Sequence, residues 1–461
     1  MNTYTAHSVG VPTSVYRWNP LTIKPLSGAS SLFTLLVYSS AGSAEREPFA
    51  LVMNVITNSN IMSNMVEWKK LGDIMSIVRG ASPRPIKNYI TNDPDGINWI
   101  KIGDVSPNAK YITTTAEKIT REGAAKSRHL NVGDFILSNS MSFGRPYILK
   151  TDGCIHDGWI AMSDFEKIIS SGYLYEVLNS ELVQKYWKKK ANDGGAMSNL
   201  NSDIVRGTII PIPSLEEQNR IVGILETFTD SIENLKKQIE QRRKQYEFYR
   251  DQLLDLEGKE GVEMKTLGEL SLIVTKQTGF DYSSKIKPAL QIKSIDNAIP
   301  FLQTKNFTGR KFDYNTDYYV PTHIVNQFPK IVLDKKCLLL SIVGASIGNV
   351  GLFPGTTKCF LGGAICVLKF HEDINVHYIY EIMSSWYGQK LIRSKTKGAG
   401  QATITVEDIR NFTIPLPSAK EQTRIVSILD TFEASISNLE AQLEQRQKQY
   451  EYYRNQLLTF E

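Results

Sequence analysis

The chain has 461 residues, enough for two or three domains. Its hydrophobic content of 41% is ordinary for a globular protein, and no run of apolar residues is long enough to predict a membrane span. The four cysteines (Cys154, Cys337, Cys359 and Cys366) form no CxxC pair and no metal-ligand spacing with histidine. This pattern predicts buried thiols in the reducing cytoplasm and excludes a disulfide scaffold.

The net charge of +5 is distributed unevenly. Residues 66–210 carry 19 Lys/Arg against 16 Asp/Glu, and residues 262–414 carry 18 against 12. Residues 215–257 carry 7 Lys/Arg against 10 Asp/Glu, and residues 419–461 carry 5 Lys/Arg against 7 Asp/Glu. This partition favours a polyanion as the partner of the two longer regions. Ordinary variation in composition is the alternative.

Residues 1–61 differ from the rest of the chain. Residues 1–60 carry only five charged side chains and show neither a helical nor a strand period. They lack the basic start and apolar core of a signal peptide. We interpret them as a disordered extension, or as sequence upstream of a true start at Met62 or Met65.

Two regions, residues 66–210 and 262–414, show the same order of elements. They open with VEWKKLGDI and VEMKTLGEL and continue with short apolar runs that Gly, Asn, Asp and Pro interrupt, which predicts strands joined by loops. A helical stretch closes each region, at Leu174–Lys190 and Ile379–Ile392. Polar loops then lead to TIIPIPS and TIPLPS. Each region is therefore predicted to be a mixed α/β domain.

A long helix follows each of these domains, and the two helices repeat one another. Residues 211–257 and 415–461 are identical at about 30 of 47 positions without a gap. A repeat of this kind determines the architecture. Residues 258–261 (GKEG) form a flexible joint between the two units.

Both helices carry a start signal and an apolar seam. Ser214 with Glu217, and Ser418 with Glu421, have the spacing of a capping box. The seam alternates four-residue and three-residue steps, which predicts a coiled coil about 60 Å long. Its positions are Ile221, Leu225, Phe228, Ile232, Leu235, Ile239, Arg242, Tyr246, Tyr249, Leu253 and Leu256, and then Ile425, Leu429, Phe432, Ile436, Leu439, Leu443, Arg446, Tyr450, Tyr453, Leu457 and Phe460.

Neither helix can bury its seam alone, so we expect the two to pair, antiparallel, within the chain. Arg242 and Arg446 occupy the same seam position in the two copies. A polar seam residue can fix the register of a coiled coil. We favour a role in register or in docking a partner over an exposed kink.

The sequence holds no strong catalytic motif. There is no GxxxxGK[ST] loop, no Asn-Pro-Pro-aromatic motif and no glycine-rich loop after a first strand. The Gly-rich string at Lys397–Gly400 precedes a helix and is interpreted as a turn. His371-Glu372-Asp373 is interpreted as a solvated turn, because consecutive side chains do not converge on a metal. The nuclease-like tripeptide Glu67-Trp-Lys69 lacks a preceding acidic pair and is attributed to chance.

Loops that mix Arg and Lys with Asn and Ser are the positive signals for nucleic acid. Arg and Lys pair with guanine edges or phosphate, and Asn pairs with adenine, although many surface loops have this composition. The candidate DNA-binding residues are Arg79, Ser82, Arg84, Lys87, Asn88, Asn139, Ser142, Arg145, Lys305, Asn306, Arg310, Lys311, Ser346 and Asn349. The lysine run at Lys185–Lys190 is interpreted as a helix end, with phosphate contact as a secondary possibility.

The doubled arrangement resembles the specificity subunits of type I DNA restriction-modification enzymes. The resemblance covers residues 66–461 and rests on PIPSLEEQNRIV and PLPSAKEQTRIV, each at the end of a variable domain and about 200 residues apart. It implies two target recognition domains (62–210 and 262–414) that each read half of a bipartite, asymmetric DNA site. It also implies spacer helices (211–257 and 415–461) that form an antiparallel coiled coil with pseudo-two-fold symmetry.

The resemblance further implies the partners. The spacer helices would set the gap between half-sites and dock two methyltransferase subunits, and two restriction subunits would join them. A rod of about 60 Å matches roughly 18 base pairs. S-adenosylmethionine, ATP and Mg²⁺ would lie on the partner subunits, and this chain would be non-catalytic. The alternatives are a stand-alone DNA methyltransferase or nuclease, and a coiled-coil adaptor without a DNA role.

Overall fold

The computed structural model describes residues 66–106, 109–139, 143–192, 199–292, 297–398 and 402–460. The predictions for residues 1–61, and for a start at Met62 or Met65, lie outside these residues. The chain divides into two compact units. The first comprises Met1–Thr227 with Tyr452–Glu461, and the second comprises Phe228–Glu451.

The first unit combines short strands with helices. Its strands are β1 (Glu67–Lys70), β2 (Ser76–Arg79), β3 (Ile90–Thr91), β4 (Ile97–Ile100), β5 (Tyr111–Ile112), β6 (Glu117–Ile119), β7 (Arg128–Leu130), β8 (Phe135–Ser138), β9 (Pro146–Leu149), β10 (Gly153–Ile155), β11 (Trp159–Ser163) and β12 (Ile209–Ile212). Its helices are α1 (Leu71–Ile74), α2 (Arg121–Ala124), α3 (Ser171–Leu178), α4 (Glu181–Asn192), α5 (Ser202–Arg206) and the start of α6 (Leu215–Leu254).

Two five-stranded sheets form the body of the first unit. Their strand orders are β3-β6-β4-β10-β7 and β2-β11-β8-β9-β5. Side chains from both sheets meet in one core that includes Ile100, Tyr147 and Trp159. The indole Nε1 of the buried Trp159 donates to the carbonyl of Ile100 at 3.1 Å. A large aromatic ring is thereby buried without an unpaired donor.

The second unit also combines short strands with helices. Its strands are β13 (Glu263–Thr266), β14 (Ser271–Lys276), β15 (Ala298–Leu302), β16 (Phe307–Thr308), β17 (Lys311–Phe312), β18 (Tyr319–Pro321), β19 (Val332–Leu333), β20 (Cys337–Ser341), β21 (Val350–Phe353), β22 (Cys359–Leu361), β23 (Ile365–Phe370) and β24 (Thr413–Leu416). Its helices are α7 (Leu267–Leu270), α8 (Gly279–Asp281), α9 (Thr322–Val325), α10 (Val376–Ser384), α11 (Trp386–Lys395), α12 (Val406–Arg410) and most of α13 (Ala419–Leu457).

The sheet β14-β23-β20-β21 is apolar on both faces. From strand β20, Leu338 and Leu340 join a core with α10 and with residues of α6 and α13. Cys337 and Leu339 point the other way, into a core with the sheet β18-β15-β22-β19. Burial on both faces explains why CLLLS reads as a continuous apolar run instead of an alternating one. The mixed α/β class predicted for this region is confirmed.

In each unit, the first and last strands pair with one another. Strands β1 and β12 are antiparallel, with Glu67 opposite Ile212. Strands β13 and β24 are antiparallel, with Glu263 opposite Leu416. The openings VEWKKLGDI and VEMKTLGEL resemble one another because both pair with the repeated Pro-x-Pro strand that leads into a long helix.

Equivalent buried hydrogen bonds occur in the two units. The hydroxyl of Tyr173 donates to the carbonyl of Pro211 at 3.2 Å, and that of Tyr378 donates to the carbonyl of Pro415 at 2.7 Å. Each tyrosine joins a helix of its domain to the strand before the long helix. These pairs reveal a further sequence match, YLYEVLNS with YIYEIMSS, in the helices that carry the two tyrosines.

The long helices were predicted correctly, and their starts explain the repeated motif. The backbone N–H of Glu217 donates to Ser214 Oγ, and that of Glu421 donates to Ser418 Oγ, both at 3.3 Å. The predicted reciprocal half of the capping box is replaced, because these glutamates form ion pairs with Arg220 and Arg424.

The glutamine of the motif is buried at the start of each helix. Gln218 is fully buried, and its Nε2 donates to the carbonyls of Pro213 and Ile168 at 2.9 and 3.1 Å. Gln422 Nε2 donates to the carbonyl of Pro417 at 2.8 Å. The Glu-Gln-x-Arg-Ile-Val pattern is therefore explained by helix capping, an ion pair and burial.

Within residues 228–451, α6 packs on α13. Arg243 Nη2 lies 2.6 Å from Glu440 Oε1, and the rings of Tyr249 and Phe432 stack at 5.4 Å. The guanidinium carbon of Arg446 lies 5.8 Å from the centroid of the Phe228 ring. This last contact accounts physically for an arginine in an apolar seam, because its planar cation can lie over an aromatic face.

Most predicted seam positions are buried or half-buried. Ile221, Leu225, Ile425 and Leu429 are fully buried. Tyr249, in contrast, is 45% exposed. Tyr249 lies near the end of α6. Tyr246, three residues earlier, is instead buried in the core of the second domain.

Candidate nucleic-acid interface

The first candidate loop leaves the sheet at the end of β2. Gly80 N donates to the carbonyl of Trp159 at 2.9 Å, and a Cβ at this position would lie 2.1 Å from the carbonyl oxygen of His156. Only glycine fits so close to the backbone of His156. The loop is thus held against the turn between β10 and β11, and its next residues project from a defined point.

One carboxylate in that turn, Asp157, organises the candidate loop. Ser82 Oγ donates to Asp157 Oδ1 at 2.9 Å, and Arg84 Nη2 donates to Oδ2 at 3.1 Å. Arg79 Nε donates to the backbone carbonyl of Asp157 at 3.0 Å. Three of the predicted residues therefore converge on a residue that the sequence analysis did not select.

The hydrogen bonds keep Asp157 ionised. The bond from Ser82, followed by the contact with Arg84, lowers the pKa of the Asp157 carboxyl. The Arg84 side chain nevertheless remains 81% exposed, so it can meet a ligand while its direction is fixed. Lys87 and Asn88 lie exposed on the next short helical turn.

The second candidate loop contacts the same turn through Asn139. Asn139 Nδ2 lies 3.4 Å from the carbonyl of Asp157, and Asn139 N donates to the carbonyl of Gly158 at 3.2 Å. Arg145, half-buried, lies within electrostatic reach of Tyr175 on α3. Ser142 lies outside the described residues.

A cavity of about 500 Å³ opens beside the first loop. Its lining includes Ile86, Trp99 and His156 on the apolar side and Arg84 and Asp157 on the polar side. Burial lowers the pKa of His156, so its ring is neutral near pH 7. The site therefore combines an apolar recess with an exposed arginine at its rim.

In the second unit, the predicted residues are engaged with the protein itself. Lys305 forms an ion pair with Asp317. Asn306 is 5% exposed, and its Oδ1 accepts a hydrogen bond from Gln303 N at 3.0 Å. Asn306 therefore shapes the turn before β16.

The other four predicted residues of this unit gather around the β16–β17 hairpin and β21. Arg310 forms ion pairs with Glu381 and Asp430, and Lys311 forms one with Glu440. Asn349 Nδ2 donates to the carbonyl of Phe307 at 3.0 Å. Ser346 is half-buried, and its carbonyl accepts from Asn349 N.

A loop that the sequence analysis overlooked occupies the position equivalent to Arg79–Lys87. It follows β14 as the first loop follows β2, and it exposes Lys276, Lys285 and Lys287. Phe280 in this loop is 79% exposed. Counting forward from the matching openings LGDI and LGEL would have located it.

The described residues contain no cluster of three or more His, Cys, Asp and Glu side chains arranged to hold a metal ion. In the same part of the chain, no helix is long and apolar enough to span a membrane.

A protein-family model, the type I restriction modification DNA specificity domain, matches the chain twice. The matches cover residues 65–242 and 259–447. Each match begins at the first strand of a unit's sheets and continues into a long helix, so the family repeat coincides with the repeat in the sequence.

Individual relatives agree with the family match. Over 266 residues the chain is 35% identical to the specificity subunit of a type I restriction enzyme from Escherichia coli, across 54% of this chain and 63% of that subunit. The alignment therefore spans less than two thirds of that relative. Over 397 residues it is 24% identical to a type I restriction enzyme specificity subunit from Methanocaldococcus jannaschii, across 81% of this chain and 88% of that one.

A solved chain from a study of complex assembly and conformational transition in a type I restriction-modification system has a similar fold. Its TM-score is 0.59 at 17% identity, and the match covers 86% of this chain and 96% of that chain. At this identity the likeness concerns the fold alone. The doubled family match, which covers most of the sequence, places the chain in the family of type I restriction-modification DNA specificity subunits.

Proposed function

We propose that this chain is the DNA sequence-recognition subunit of a type I restriction-modification complex. Each of its two domains reads one half of a bipartite, asymmetric site, and the two long helices set the spacer and dock methyltransferase subunits. The observation that carries the proposal is the doubled family match, one copy for each domain with its helix. Because the two domains differ in sequence, we expect the two halves of the site to differ.

The first domain offers the clearer reading surface. Arg84 projects from a loop that Asp157 holds, with Lys87 and Asn88 exposed beside it. Such a loop can enter a groove with little loss of conformational entropy, because its direction is already fixed. In the second domain, the equivalent surface is the loop after β14 with Lys276, Lys285 and Lys287. Phosphate contacts from these lysines would position the domain, while neighbouring side chains read base edges.

The long helices supply the spacer and the docking surface in this proposal. Their antiparallel pairing as a coiled coil, with pseudo-two-fold symmetry, is supported by the contacts of Arg243 with Glu440 and of Tyr249 with Phe432. Phe248 and Trp386 are each 58% exposed beside a cavity of about 480 Å³ at the end of α6. Exposed aromatic side chains at a recess are typical anchors for a protein partner.

The partners follow from this role. Two methyltransferase subunits and two restriction subunits would complete the complex with double-stranded DNA in the cytoplasm. S-adenosylmethionine, ATP and Mg²⁺ would be bound by those subunits, and this chain would contribute recognition without catalysis.

The test combines the purified chain with its methyltransferase subunits and maps adenine methylation on genomic DNA. We expect no methylation or cleavage by the chain alone, and methylation of one bipartite motif by the mixture. Methylation or cleavage by the chain alone would instead identify a stand-alone enzyme. Stable assembly without sequence-selective methylation would favour an adaptor without a DNA role.

A further inference from the structure

The hairpin of β16 and β17 ends in a turn that faces the protein. Phe307 pairs with Phe312 and Thr308 pairs with Lys311, which leaves Gly309 and Arg310 as a two-residue turn. Gly309 has a φ of +59°, a conformation that glycine adopts without strain. Its carbonyl accepts a hydrogen bond from Leu352 N at 3.0 Å, which fixes the hairpin on β21. The turn is therefore held in place by backbone contacts before its side chains are considered.

The guanidinium of Arg310 joins the hairpin to helices α10 and α13. It forms an ion pair with Glu381, which is fully buried, and its Nη1 lies 2.6 Å from Asp430 Oδ1. Its guanidinium carbon lies 5.4 Å from the ring centroid of Tyr380. The other oxygen of Glu381 accepts from the hydroxyl of Tyr246 on α6 at 2.7 Å. This inner cluster connects one turn to three helices.

The next residue of the hairpin makes a second, outer attachment. Lys311 Nζ lies 2.6 Å from Glu440 Oε2, and Arg243 Nη2 of α6 lies 2.6 Å from Glu440 Oε1. Lys311, and to a smaller extent Arg243, lowers the pKa of Glu440. The outer cluster thus joins the hairpin to α13 and α6.

The two attachments are separated along α13. Asp430 and Glu440 are ten residues apart, which corresponds to about 15 Å of helix. One attachment would constrain the position of the domain on the helices but not its angle, whereas two separated attachments constrain both. At the inner cluster, a misplaced Arg310 would leave the buried carboxylate of Glu381 unpaired, which favours one arrangement over others. At the outer cluster, the Lys311 side chain is 76% exposed, so its ion pair contributes to orientation more than to net stability.

We propose that Arg310 and Lys311 are positioning residues, which fix the angle of the second recognition domain on the helices and do not contact DNA. The inference rests on the proposed function. Under it, the two clusters determine which spacer length the subunit accepts, while the sequence of the second half-site is read elsewhere in the domain. It also replaces the earlier interpretation of both residues as DNA contacts.

The first experiment measures spacer preference in the assembled methyltransferase complex. The substrates carry the native half-sites with spacers that differ by one base pair. We expect Glu440→Lys to lower the preference for the native spacer by about tenfold and to leave the half-site sequences unchanged. The triple change Lys311→Glu, Arg243→Glu and Glu440→Lys inverts every charge of the outer cluster and should restore the preference. Glu372→Lys, which makes the same change of charge at an exposed glutamate of the same unit, is the matched control.

The second experiment tests for DNA contact directly, with the milder change Lys311→Met. A lysine that neutralises a phosphate contributes to the salt dependence of binding, and its loss lowers the logarithmic slope by about 0.9. We expect an unchanged slope.

Three results would overturn the inference: a lower slope for Lys311→Met, an altered second half-site for Glu440→Lys, or no recovery in the triple variant. Thermal unfolding of each free chain identifies variants that fail to fold. If the unaltered complex shows no sequence-selective methylation, the proposed function fails first and is distinguished from a failure of this inference.

Discussion

At the scale of single residues, Asp157 controls the direction of the candidate reading loop in the first domain. Its carboxylate accepts from Ser82 and Arg84, and the Arg84 side chain remains exposed. We expect Asp157→Asn to release Arg84 and to lower the ratio of specific to non-specific DNA binding by about tenfold. Non-specific binding should not weaken, because the change removes a negative charge near the phosphates. Binding titrations with intact and altered first half-sites measure the ratio.

The control is Asp152→Asn, which removes a carboxylate from the same domain at a side chain that is 64% exposed. An equal loss of selectivity in both variants would contradict a specific role for Asp157. The stability that the Asp157 carboxylate contributes to the fold depends on pH, and its sign follows from the pKa. Since the Ser82 bond lowers the pKa of Asp157, its contribution is present above the unfolded carboxyl pKa of about 3.9 and is lost as the pH falls through the lower folded value.

At the scale of elements, α13 is stabilised by burial along its seam. Leu429 is fully buried and belongs to the core that contains Ile379 and Ile382 of α10. We expect Leu429→Ala to lower the free energy of unfolding by about 2–5 kcal/mol, since it leaves a cavity between packed helices. Urea unfolding of the free chain measures this. Thr431→Ala, at an exposed position on the same helix, should change it by less than about 0.5 kcal/mol.

The long helices could be predicted because their signals are local. The cap at Ser214 and the spacing of Ile221, Leu225 and Phe228 lie within a few turns of one another. The partners of the loop residues could not be predicted in the same way. Arg310 meets Asp430, 120 residues away along the chain, and composition alone cannot tell an arginine in such a pair from one that contacts DNA. Asn306 likewise has the type of a base-reading residue but forms part of a turn.

At the scale of the whole molecule, the doubled order of domain and helix was predictable from the repeated motif, and the family match has the same period. The contacts that hold the candidate reading loop were not predictable in this way. Asp157 follows a short buried strand and carries no motif, so only the folded structure relates it to Ser82, 75 residues earlier. The position of the loop after β14 could have been predicted from the sequence, since it follows from the two matching domain openings.

The last prediction concerns helix length. If the helices set the spacer, an insertion of four residues after Arg242 lengthens α6 by about 6 Å, or about two base pairs of DNA. The insertion should also displace the seam beyond Arg242 by roughly 40° about the helix axis, since each residue turns the helix by about 100°. We therefore expect a longer preferred spacer at unchanged half-sites, or loss of assembly where the rotated seam cannot pack.

Spacer-resolved methylation measures the outcome of the insertion, with replacement of four exposed residues on α6 as the control for altered composition. Full activity with the original spacer would contradict the idea that helix length sets the gap. An altered half-site sequence would instead indicate that the helices influence base reading. A longer spacer with both half-sites intact would separate the two roles within one chain: the domains would determine which bases are read, and the helices would determine how far apart they lie.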